Sequence, residues 1–101
     1  MAQIIWSKRS AQQLERAIRY TREEQGVSYA YTVLDRILKA TASLQSFPER
    51  GFMEPLLLHK KYLYRTIVVW SYKIIYRVDQ DRVIVSRLFH TSRDPKKLRG
   101  V

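Results

Sequence analysis

Residues 63–90 read LYRTIVVWSYKIIYRVDQDRVIVSRLFH. β-Branched and aromatic residues dominate three runs, 63–70, 72–78 and 83–90, which is the composition of strands. Little more than Ser71 separates the first two runs, and Asp79, Gln80, Asp81 and Arg82 form a turn before the third. Connections this short join antiparallel neighbours, so the stretch predicts a three-stranded meander. Alternation within 72–78 puts Lys73 and Arg77 on one face and Tyr72, Ile74, Tyr76 and Val78 on the other. Register between strands is not written in alternation, so whether Arg65 joins Lys73 and Arg77 stays open.

Upstream of the meander the hydrophobic period changes from two to 3.6. Ala11, Leu14, Ala17 and Ile18 recur at spacings of three and four, with Gln12, Gln13, Glu15, Arg16 and Arg19 on the opposite face. That pattern is an amphipathic helix. Ser7 is its candidate N-cap, Ser10 with Gln13 an alternative capping box, and Gly26 its natural end. A second helix, capped by Ser28, carries a stripe of Ala30, Val33, Leu34, Ile37, Leu38, Thr41 and Leu44 and closes at Phe47-Pro48. A link as short as Gly-Val-Ser folds the two into an antiparallel hairpin. Residues 2–6 form a short β-prone run, residues 49–61 read as irregular, and residues 91–101 read as a surface tail. The expected fold is a single α+β domain over 1–101: an N-terminal strand, an antiparallel helical hairpin, then a three-stranded antiparallel meander, β-α-α-β-β-β.

Composition narrows the function classes. The chain of 101 residues has room for one core, and 46% hydrophobic residues supply it. Cysteine is absent, which excludes disulfides and thiolate metal sites or nucleophiles and fits a cytoplasmic location. No signal peptide or membrane-spanning run is visible, and the expectation is a soluble protein that needs no membrane, cofactor or metal. The net charge is +10. It is unevenly spread: residues 1–55 hold eight Lys/Arg against six Asp/Glu (+2), and residues 56–101 hold eleven against three (+8). An acidic partner is implied, met mainly by the C-terminal half.

Four ordered motifs carry a resemblance. Ile5-Trp6-Ser7, Ser10-Ala11 and Leu14 run a strand directly into a helix. Leu44, Phe47-Pro48 and Gly51 form a helix exit. Tyr64-Arg65, Ile67 and Val69, then Tyr72 and 74–78, make a hairpin. Val85, Arg87, His90-Thr91 and Arg93-Asp94-Pro95 make a closing strand and tail. Together, over roughly residues 3–98, they resemble the RelE/ParE toxins of type II toxin–antitoxin systems, closer to the ParE branch. The resemblance implies the fold just derived. It also implies a cognate antitoxin supplying an acidic segment, hence a toxin–antitoxin hetero-oligomer.

The superfamily acts in two ways, and the residues bear on both. Metal-free RNA cleavage on the ribosome needs a base, an acid and cations around the phosphate. Glu54 and His90 are the candidate base and acid, with Arg65 and Lys73 as cations, Lys73 standing where ribosome-dependent members carry an arginine. A plainer reading pairs Glu54 with Lys60 or Lys61 at the surface, and takes His90 as a structural residue at a strand end. The other branch inhibits DNA gyrase without nuclease catalysis. The eleven residues after His90 and the long helical hairpin favour that side. Gyrase inhibition is therefore the leading expectation, with the ribosome-dependent mRNA endoribonuclease as its alternative. Arg77, Arg87, Arg93, Lys96 and Lys97 are the expected contacts to the target or to nucleic acid. The groove between the two helices is an expected seat for the antitoxin.

Overall fold

The computed structural model describes residues 2–91. The expected tail, with Arg93, Lys96 and Lys97, lies outside the described residues. Five strands and two α-helices follow in the order β1 (Gln3–Trp6), α1 (Lys8–Gln25), α2 (Val27–Ala42), β2 (Phe52–Met53), β3 (Tyr64–Val69), β4 (Tyr72–Asp79) and β5 (Arg82–His90). The strands form one sheet in the order β1-β5-β4-β3-β2. The antiparallel meander is β3-β4-β5, and β1 runs parallel to β5, with Ile4 opposite Val83. The α+β architecture matches the expected one, with one addition. A short strand, β2, lies within the stretch that read as irregular, because Phe52 and Met53 pair with Thr66 and Arg65. Two residues are too few to leave an alternating pattern in a sequence.

Helix α1 starts as expected: the Ser7 hydroxyl accepts from the Ser10 amide at 3.0 Å. Ser10 and Gln13 serve a different end. The Ser10 hydroxyl donates to the Val85 carbonyl at 2.8 Å, and the Gln13 side-chain oxygen accepts from the Leu88 amide at 2.8 Å. Between those two contacts β5 bulges: Ile75 pairs with Arg87 and Tyr76 with Val85, which leaves Ser86 unmatched. A bulge forfeits ladder bonds, and the first turns of α1 supply replacements. The second helix begins one residue after the first ends. Gly26, at φ 96°, donates to Arg22 and accepts from Ala30, so it serves as C-cap and N-cap together. Ser28 lies inside the helix and does not cap it; a glycine in that backbone region makes a longer link unnecessary.

The helical hairpin packs on one face of the sheet. Val33, Ile37 and Leu44 meet Ile67, Ile74, Tyr76, Val83, Val85 and Leu88, with Leu14 and Ile18 at the margin. The opposite face is partly covered as well. After β2 the chain turns through Pro55–Leu57 and lays Leu57 against Tyr64, Ile75 and Phe89. Ile74 and Ile75, adjacent in β4, are both wholly buried, one on each face.

Candidate functional site

The registers fix which candidate residues share a face. On the face away from the helices, three rows cross β3, β4 and β5: Tyr64, Arg77 and Ile84; Thr66, Ile75 and Arg87; Val68, Lys73 and Phe89. Each row holds one cation. Arg65 belongs to the helix side, opposite Tyr76, and does not join Lys73 and Arg77. Its guanidinium reaches the carbonyls of Gly51 at 2.8 Å and Glu49 at 3.3 Å. The Tyr76 hydroxyl holds the same loop, accepting from the Gly51 amide at 3.0 Å and donating to the Pro48 carbonyl at 2.7 Å. Burial pushes the Tyr76 phenol upward, which keeps it a neutral donor.

Glu54 lies at the mouth of this outer face and is 2% exposed. It does not pair with Lys60 or Lys61. Its carboxylate takes the Lys73 ammonium at 2.9 Å, the Thr66 hydroxyl at 2.9 Å and the Leu56 amide at 3.2 Å. Burial raises its pKa, but the bonds from Lys73, Leu56 and Thr66 outweigh that, and the net shift is downward. The pairing is long-range, set by the fact that Thr66 and Lys73 are diagonal neighbours and β2 delivers Glu54 beside Tyr64. Local sequence pointed to the nearer lysines because it holds no information on register.

The remaining candidates spread out. His90 ends β5 opposite Tyr72, its ring edge-on to the tyrosine with centroids 5.5 Å apart. Alternation puts it on the helix side, away from Lys73. Arg77 lies over the Tyr62 ring at 4.2 Å, with Asp79 at 3.9 Å. Arg87 donates to the Ser86 carbonyl at 2.8 Å; burial first, and the nearby charge of Arg9 second, lower its pKa. So Glu54 and Lys73 meet, whereas Arg65 and His90 stand on the other face. Arg9 was missed because it belongs to α1, and only the β1–β5 pairing carries the start of that helix toward Arg87.

A second surface feature is an open groove of about 580 Å³ between α1, α2 and the end of β1. Trp6, Leu14, Ile18, Leu34 and Leu38 give it apolar walls, and Arg19 and Arg22 stand on its rim. Leu38 is 44% exposed, so the apolar stripe of α2 is wider than the core it covers. A third feature was not foreseen. Trp70, at the β3–β4 turn, stacks on Tyr29 of α2 with centroids 5.9 Å apart, and the Arg36 guanidinium lies 5.4 Å from its ring. A bulky aromatic in a two-residue turn was the available signal. Among the described residues no group of His, Cys, Asp or Glu could hold a metal ion, and no helix is long and apolar enough to cross a membrane.

Comparison with known proteins bears on this arrangement. Residues 4–95 match the family model described as the ParE toxin of the type II toxin–antitoxin system parDE. Among solved structures, a chain of the chromosomal ParDE toxin–antitoxin system from P. aeruginosa superposes with a TM-score of 0.75 at 18% identity. The superposition covers 91% of this chain and 98% of that one, a likeness of fold. No curated protein matches the chain.

Proposed function

The chain belongs to the ParE toxin family of type II toxin–antitoxin systems, and from that premise we propose that it arrests growth by inhibiting DNA gyrase and is neutralised by a cognate antitoxin. One observation carries the choice of gyrase over messenger RNA: the nuclease candidates do not converge. A general base must reach a proton in solvent-accessible substrate, and its pKa works best near the operating pH. Glu54 is buried, bonded three times and shifted downward, so it is a weak base. Lys73 spends its charge on Glu54, while Arg65 braces the 49–51 backbone. His90 lies across the sheet from both Glu54 and Lys73.

The inhibitor then works by surface contact. Arg77 and Arg87, one in each of two rows of the outer face, are contacts for the target and its DNA, and the tail residues Arg93, Lys96 and Lys97 add affinity for polyanions. The antitoxin lays an acidic amphipathic segment into the groove, apolar side on Leu14, Ile18 and Leu34, carboxylates toward Arg22 and, in exchange with Glu15, which now pairs with it at 2.8 Å, toward Arg19. Induction in growing cells tests the target. Gyrase inhibition gives DNA breaks and a DNA-damage response while protein synthesis first continues, and purified toxin blocks supercoiling. Immediate translation arrest with cut transcripts would replace this reading by the nuclease one.

A further inference from the structure

A two-residue hairpin turn demands a positive φ, which Gln80 supplies at 58° between β4 and β5 and Trp70 supplies between β3 and β4; what the turn does not explain is a tryptophan in that place. Its backbone sits at φ 53°, the left-handed region that glycine and asparagine occupy at little cost and a bulky aromatic does not. Residues held there persist where surrounding structure or function requires them. Core burial is not the reason, since Trp70 remains 45% exposed and Tyr29, stacked on it, 43%. Arg36 completes the cluster by lying over the indole. Tyr29 and Arg36 are seven residues apart on α2, two helical turns, so both point at the turn from one side. Among the described residues Arg36 makes no ion pair; the carboxylate nearest in sequence, Asp35, is taken by Lys39 at 3.0 Å.

Tryptophan, tyrosine and arginine are the residues that dominate the energetics of protein interfaces, above all when they are already packed in the bound geometry. We infer that Trp70, Tyr29 and Arg36 form the anchor by which the toxin grips its protein target. The matching surface is an apolar patch, to cover the indole, beside a carboxylate that pairs with Arg36. The guanidinium over the ring is positioned but not neutralised, and a chain of net charge +10 selects acidic surfaces. The inference rests on the reading of the chain as an inhibitor of a protein, and it names the surface that does the inhibiting. The anchor is made of α2 and the β3–β4 turn, whereas the groove lies between α1, α2 and β1.

Trp70→Asn tests it, because asparagine accepts the same backbone region. The expected result is a melting temperature within about 2 °C of wild type, with inhibition of purified gyrase and of growth weakened about thirty-fold or more. Undiminished inhibition by Trp70→Asn overturns the inference. If that variant instead melts much lower, Arg36→Glu decides, since it alters only an exposed helix position: inhibition as strong as wild type again overturns it. Loss of co-purification with the antitoxin encoded beside the toxin, in either variant, would give the surface to the antitoxin and overturn its assignment to the target. Failure of the wild-type toxin to block supercoiling sinks the gyrase reading alone; the anchor is then read from growth arrest, variant against wild type.

Discussion

The two faces of the sheet meet the same demand in different ways. Toward the helices, Ile67, Ile74, Val83, Val85 and Leu88 merge with the stripes of α1 and α2 into one apolar core. On the other face, among the described residues, the smaller cluster of Leu57, Tyr64, Ile75 and Phe89 forms, and the cover that brings Leu57 there is fastened by a buried carboxylate. The helix side is held by area, which tolerates small displacements. The outer side is held by a few directional contacts, which do not. A surface built that way stays cationic, with Arg77, Lys73 and Arg87 spaced across it, because its polar groups were never exchanged for packing.

Adjacent isoleucines make the contrast measurable. Ile74→Ala empties a site in the large core and is expected to cost about 4 kcal/mol, near the upper end for such truncations. Ile75→Ala empties an equally buried site in the small cluster, where Leu57 can settle inward, and about 2–3 kcal/mol is expected. Equal losses in chemical denaturation would mean that the outer cluster is a core of the same kind, and the contrast would fail.

Gly51 joins the two faces at the sheet edge. A β-carbon there would lie 2.7 Å from the Tyr76 hydroxyl and 2.8 Å from the Thr66 carbonyl. Backbone cannot yield as a flexible side chain would, so Gly51→Ala is expected to cost about 2–3 kcal/mol by overpacking. Tyr76→Phe in the same background removes one of three close contacts, keeping the Thr66 carbonyl and the ring carbon at 2.9 Å, and is expected to recover little, since it also leaves the Gly51 amide and Pro48 carbonyl unpaired. Full recovery in the double variant would show that the phenol, not the backbone, sets the limit.

The ion pair that fastens the outer cover should give it a pH dependence the helix side lacks. The folded-state pKa of Glu54 is depressed, so its contribution is complete above the unfolded carboxylate value, about 4.3, and is lost as pH falls through the lower folded value. Glu54→Gln leaves the Lys73 ammonium without its carboxylate. Because Lys73 keeps some solvent access, about 2 kcal/mol is expected, below the figure for a fully buried pair. Replacing both, Glu54→Leu with Lys73→Met, should restore most of it and flatten the acid limb of the stability curve. An unchanged acid limb in the double variant would locate the pH dependence elsewhere.

How much of this could be seen in the chain follows the same divide. The helical hairpin and the meander were written locally, in the spacing of Leu14 and Ile18, in Gly26, and in the alternation of 72–78. The outer face was not, because it depends on register. Arg65 and Lys73 look equivalent as cations within β-rich runs, yet the pairing of Arg65 with Tyr76 sends one to each side of the sheet. Glu54 had lysines near it in sequence and found one nineteen residues away. A two-residue strand, and a bulge that shifts alternation at Ser86, add to what periodicity does not encode.

The outer-face arginines mark the point where stability and function should separate. Arg77 lies on the exposed Tyr62 ring and at the edge of salt-bridge range from Asp79, contacts that contribute under about 1 kcal/mol where water competes. Arg77→Ala is therefore expected to leave the denaturation midpoint nearly unchanged, the smallest stability effect in this series. Its effect on growth arrest should be larger than its effect on folding, and should fade as salt is raised in a gyrase assay, because the lost interaction is electrostatic. A variant destabilised as much as Glu54→Gln would instead make Arg77 a fastener of the outer cover. The outer face would then be held by its cations as well as decorated with them, and the distinction between the faces would narrow to a difference of degree.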